Sequence, residues 1–232
     1  MLKVAHLLRG CARRIARSEA GVSAVEFAMI FPALLLILFG TVEMGRYVMR
    51  ARDLTLTVNS IGQMASQADG TLTATDAQFI RDSAMLSFPD ALTEARSLGK
   101  TWTEHLKIGM SGVKFTQIPN SCTSTCGYWG DVWWTSGHAN VRKACGPAPD
   151  SHALIGVHAD VPISTTNLPF NNYGPHEVIA VVASIDFVPL FGSTILPSLT
   201  LTRGAYFLPR TRETISYSTA GNASFGTVCP GF

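Results

Sequence analysis

Sixteen consecutive residues, Phe27–Val42, carry no charge and read F-A-M-I-F-P-A-L-L-L-I-L-F-G-T-V. A run of this kind must leave water, and its length decides where it goes. At 1.5 Å per residue it spans about 24 Å as a helix, short of the roughly 30 Å hydrocarbon core of a bilayer. Including Val22–Val25 supplies the missing length, but it places Glu26 inside the span. An ionisable residue in a membrane segment is costly and marks a functional position by default, unless it snorkels to the interface. Pro32 falls in the first third of the helix, where a kink is tolerated. The span is therefore expected over 22–49, between a basic leader (1–21) and a larger domain (50–232).

The flanks set the expected direction. Lys3, Arg9, Arg13, Arg14 and Arg17 stand before the helix against Glu19 alone, while Arg46, Arg50 and Arg52 follow it. This bias favours a cytoplasmic N-terminus. Cysteine usage agrees: Cys11 lies on the leader side, and Cys122, Cys126, Cys145 and Cys229 lie beyond, an even set suited to an oxidising compartment. Four cysteines allow three pairings. The closeness of Cys122 to Cys126 favours Cys122–Cys126 with Cys145–Cys229 and leaves the other two open. The rival reading, a cleaved secretory signal, lacks a small-x-small site: Gly40-Thr41-Val42-Glu43-Met44-Gly45 follows the apolar run.

Directly before the run stands Gly21-Val22-Ser23-Ala24-Val25-Glu26-Phe27. This resembles the processing site of type IV prepilins, in which a membrane aspartic peptidase cuts after the glycine and leaves the glutamate as the fifth residue. Here that would give Val22 a free ammonium group. The Glu26 carboxylate would then pair with the ammonium of a neighbouring subunit, offsetting the desolvation of both charges and fixing the register of packed helices. The longer stretch Gly21–Ala51, with Pro32, Phe39-Gly40, Glu43, Gly45-Arg46 and Ala51-Arg52, resembles the TadE/TadG-like proteins of the tight-adherence (Tad/Flp) pilus system. Met64–Leu86 and Ser184–Arg210 agree with it, and 100–175 does not. The resemblance implies a minor pilin or pseudopilin of the bacterial inner membrane, with a periplasmic domain and a possible place in the pilus. It further implies other Flp pilins, assembly proteins and a prepilin peptidase as partners, and no enzyme activity.

Beyond the span, Leu54, Val58, Ile61 and Ala65 form an apolar stripe at helical spacing, with Thr57, Asn59, Ser60, Gln63 and Gln67 as its polar face. Asp69-Gly70 ends that helix. Thr75-Asp76-Ala77-Gln78 predicts a capped second helix over about 76–86, closed by Pro89. Leu106–Ile118 predicts a strand or hairpin with an irregularity at Ser111-Gly112, because its apolar residues change phase there. Residues 119–150, rich in Gly, Pro, Cys and Trp, are expected to form a disulfide-stapled loop. Ala153–Val161, Glu177–Val188 and Leu199–Leu208 read as strands, the second buried on both faces and the third paired with it. The expected class is α+β: a transmembrane helix continuing into an amphipathic one, then an antiparallel sheet.

Other chemistry has little support. A net charge of +2 implies no nucleic-acid partner. His152, His158 and Asp160 share one face of a strand, but the two histidines lie about 20 Å apart if it is straight, too far for one metal ion. No nucleophile elbow, phosphate loop or dinucleotide fingerprint occurs, so neither catalysis nor a cofactor is expected. Trp129, Trp133 and Trp134 offer a second reading: an uncleaved, anchored binding module whose aromatic loop holds a glycan or surface ligand. The competing use of those rings is to pack around the cysteines.

Overall fold

A computed structural model of the chain describes residues 19–118, 127–147, 153–154, 174–190 and 198–231. One helix, α1 (Glu19–Ser66), runs unbroken for 48 residues with Pro32 inside it, about 72 Å at the usual rise. Its first half stays out of the described core: the best apolar window within 22–66 has a mean hydropathy of 2.4 and is 0% buried among the described residues. Its second half is built into the head. Leu54, Val58, Ile61 and Ala65 are all at or below 2% exposure, so the expected stripe is the packed face. Thr57 departs from expectation. It is buried beside that stripe, because its hydroxyl donates back to the Asp53 carbonyl at 2.8 Å and needs no water.

The helix ends as expected near Asp69-Gly70, where Gly70 takes a positive φ of 82°. The next helix, α2 (Ala74–Asp82), starts two residues earlier than predicted. Its cap is Thr73, not Thr75. The Thr73 hydroxyl accepts from the Asp76 amide at 3.1 Å, while the Asp76 carboxylate accepts from the Thr73 amide at 3.3 Å. A short α3 (Ala84–Ser87) follows. Pro89 then opens a helix, α4 (Pro89–Ser97), at a position where its missing N–H costs nothing. One turn, α5 (Trp102–His105), leads into the sheet.

The sheet is antiparallel, with strand order β4-β3-β2-β6-β7. Its long members are β2 (Leu106–Ile118), β3 (Gly127–Gly137), β6 (Val178–Phe187) and β7 (Leu199–Phe207). Short β4 (Gly146–Pro147), β5 (Ala153–Leu154) and β9 (Gly226–Val228) pair along β3, and β1 (Thr71–Thr73) pairs parallel with β8 (Ser216–Ser218). The expectation of a loop over 119–150 is corrected: 127–137 is a strand paired with β2 along its length. Tyr128, Trp129, Val132, Trp133, Trp134 and Thr135 are all residues that favour a pleated surface, which outweighs the glycines around them. Of the strand expected over Ala153–Val161, only 153–154 is described. The irregularity predicted at Ser111-Gly112 lies one residue on, between Gly112 and Val113, and its extra residue is Trp133 in β3, while β2 stays in register with β6 over 106–113.

Helix α1 lies across β6 and β7, and β6 is buried on both faces as predicted. The helix side holds Leu106, Ile108, Met110, Trp134, Ile179, Val181, Ala183 and Ile185. The helix comes so close that a Cβ on Gly62 would stand 1.9 Å from the Phe207 ring. A smaller cluster, Val113, Phe115, Val132, Val178 and Cys229, packs separately. Residues 138–145 hold to β2 through the His138 amide on the Ile108 carbonyl and the Lys143 amide on the Ser111 hydroxyl. Cys145 is joined to Cys229 across 84 residues, one of the two bonds in the favoured pairing. A bridge closing a loop of that size contributes about 2–5 kcal/mol. Cys122 and Cys126 lie outside the described residues, as do Cys11 and the leader's basic residues.

Candidate assembly interface

The Gly21–Phe27 motif sits on the first turns of α1, and its described side chains are exposed. Val22, Val25 and Phe27 are 55–61% exposed, Glu26 is exposed, and Phe27 packs along its own helix on Phe31, ring centroids 5.4 Å apart. For Gly21 the structure describes the backbone alone, within α1. From residue 22 to 42 the helix offers an apolar surface about 31 Å long. Water cannot be the partner of so large a patch; lipid or other apolar helices can.

Just past that surface the head begins with charge. Glu43 and Arg46 pair at 3.1 Å, and the Arg46 guanidinium lies 5.6 Å from the Phe187 ring centroid. One turn on, Arg50 bonds Asp90 at 2.6 Å and Glu94 at 2.7 Å and covers the Phe88 ring at 5.5 Å. Glu94 also meets buried His105 at 3.3 Å. Burial works against the charge on Glu94, but the His105 hydrogen bond and Arg50 outweigh it and hold the carboxyl below its usual range. This collar ties α4 and α5 to α1 where the helix leaves the head. The spacing Arg46–Arg50 was visible in the sequence, while the acidic partners 40 or more residues away were not.

The three tryptophans do not form one platform. Trp134 is fully buried, stacked on Tyr217 at 5.5 Å, its indole N–H donating to the Ile215 carbonyl at 2.8 Å. Trp133 and Trp129 are half-buried; Trp133 donates to Glu177 and Trp129 to Asp131, both at 3.1 Å. Among the described residues no group of His, Cys, Asp or Glu is arranged to hold a metal ion; His152, His158 and Asp160 lie outside them.

Glu177 is a buried group that sequence reasoning missed, hidden in an apolar run. It is 3% exposed and accepts from the Ile215 amide at 2.7 Å as well as from Trp133, so it ties β6, β3 and the segment before β8 together. Burial nevertheless pushes its carboxyl up to about 7. The folded chain therefore binds this proton more tightly than the unfolded one. The stability it contributes is complete below pH about 4.3 and is lost as pH rises through 7, up to about 3 kcal/mol. Urea midpoints followed by tryptophan fluorescence from pH 5 to 8 should fall over that window, and Glu177→Gln should flatten the fall.

Compared with known families, residues 21–60 match the sequence model of the family described as TadE-like protein. No curated protein and no solved structure matches the chain. The matched segment covers the exposed part of α1, the Gly21–Phe27 motif, the α1 side of the charged collar (Glu43, Arg46 and Arg50) and the first turns of the packed stripe.

Proposed function

We propose, from a chain whose residues 21–60 carry the TadE-like pattern, a membrane-anchored component of Tad pilus assembly, a minor pilin or pseudopilin. The observation that carries this reading is the division of α1. Half of one continuous helix is packed into a folded head, and the other half offers apolar surface over residues 22–42, where Glu26 is the one carboxylate. A plain anchor needs the apolar surface but gains nothing from Glu26. A helix that packs against copies or relatives of itself can use the carboxylate to set register.

On this reading the helix spans the inner membrane, the leader is cytoplasmic and the head periplasmic, where the Cys145–Cys229 bond is stable. The chain acts by packing and not by catalysis. Its partners are other Flp-type pilins and assembly proteins, and a prepilin peptidase acting after Gly21. The anchored glycan-binding module is weaker, because its tryptophan surface loses Trp134 to the core. Co-isolation tests the choice. The tagged full-length chain, extracted in mild detergent, should bring pilins or assembly proteins of the same system with it. Recovery of the chain without them, but retained on a glycan matrix, would favour the module.

A further inference from the structure

We propose that the membrane-facing end of the head, where β6 gives way to Val188-Pro189-Leu190, inserts into the headgroup layer of the bilayer as a second lipid contact beside α1. The inference rests on the reading of residues 22–42 as a span.

Two contacts fix the direction of β6 relative to α1. At one end, Ile179 pairs with Phe207, whose ring packs on Gly62. At the other, Phe187 meets Tyr47 edge-on, ring centroids 5.7 Å apart. The strand thus descends along α1 toward the apolar half and ends at the height of Tyr47. That height is five residues beyond Val42, about 7 Å, which is within the headgroup layer of a bilayer whose apolar core ends near Val42.

The head places exposed aliphatic residues at this height. Val188 is 37% exposed and Leu190 62%; Leu199, which pairs with Phe187, is 52%, and Leu98 40%. Val188, Pro189, Leu190 and Leu98 form the apolar side of a shallow cleft of about 210 Å³; its other side is polar, with Arg46 beside Glu94 and Asp186, whose carboxylates pair with Arg50 and Lys107. Single exposed aliphatics are ordinary on any protein. Four converging at the end of the head nearest the span, beside an arginine and a tyrosine, have the composition of an interfacial contact. The lipid surface is the occupant because α1 already brings this rim to it. Anchored at two points, the head would be held in one orientation and would not swivel on its helix.

The test places photo-crosslinking benzoylphenylalanine singly at positions 190, 30 and 79 of the full-length chain, reconstituted in vesicles of phosphatidylethanolamine and phosphatidylglycerol. Ile30 is 57% exposed within the span, and Phe79 is 75% exposed on α2, which reaches the level of Met64 through Ser83. After irradiation, a gain of one phospholipid mass is expected at 30 and at 190 but not at 79. An adduct at 30 with none at 190 would overturn the lipid contact and leave the span standing. No adduct at 30 would overturn the span and the contact with it. Equal labelling at 79 and 190 would overturn the contact as non-specific.

Discussion

Glu26→Ala is expected to remove the chain from pilus assemblies while leaving the head as stable as before. Glu26 is exposed on α1 between Val25 and Phe27, and among the described residues it forms no ion pair. The head's first packed turns begin near Glu43 and Arg46, more than four helical turns away, so its stability should change by less than about 0.5 kcal/mol. An unpaired carboxylate at the centre of a span costs roughly 2.5–3.5 kcal/mol and less toward its edge, so the alanine chain should insert at least as well. Assembly is different. If Glu26 meets the ammonium of a neighbouring Val22, removing it leaves a desolvated charge without a partner, a loss of roughly 3–5 kcal/mol for a fully buried pair. Even a third of that is about tenfold in association. Quantifying wild-type and variant chains in membranes and in sheared filaments or co-isolated complexes reads both effects. Normal membrane levels with undiminished incorporation would reduce Glu26 to an interfacial residue.

The second large effect concerns the head alone. Trp134→Ala should destabilise it by about 3–5 kcal/mol, the usual cost of emptying a large aromatic site. The indole fills the core between β2 and the β8 segment, and its N–H satisfies the Ile215 carbonyl, so the variant loses packing and orphans a buried acceptor. Its partner across the strand makes the claim more specific. A Cβ on Gly112 would stand 2.1 Å from the Trp134 indole nitrogen, so Gly112→Ala should also be severe in the wild-type background. With the indole gone that clash disappears, and the double variant should be more stable than the sum of the two singles requires. Denaturant midpoints of the four chains check this. Additive losses would mean the indole does not occupy the space above Gly112.

What could be read from the sequence follows from how locally each element is specified. The long apolar helix, the stripe at Leu54, Val58, Ile61 and Ala65, and strands β6 and β7 were legible because apolar runs and repeated apolar spacing encode them directly. The helix start at Thr73 was misplaced because Thr73 and Thr75 offer the same cap chemistry two residues apart, and only the fold selects between them. Strand β3 was hidden because glycines and a tryptophan cluster look like a loop, although its strand character comes from pairing with β2. The bulge was located, but its extra residue lies on the strand that was not foreseen. The TadE-like pattern was readable because a glycine, a glutamate and an apolar run are contiguous. The collar was not, since Arg50 finds Asp90 and Glu94 only after α4 folds back. Glu177 was overlooked because a single carboxylate at the head of an apolar strand gives no pattern, only a three-dimensional neighbourhood.

On the proposed reading, Gly21–Phe27 turns a membrane anchor into an assembly element. The intact mass and N-terminal residue of the mature chain, isolated from membranes of the cells that make it, test this most directly. The expected mature chain lacks residues 1–21 and begins at Val22, with a free amine for the Glu26 carboxylate of a neighbouring subunit to pair with. A membrane-bound chain that retains the leader through Gly21 would contradict it.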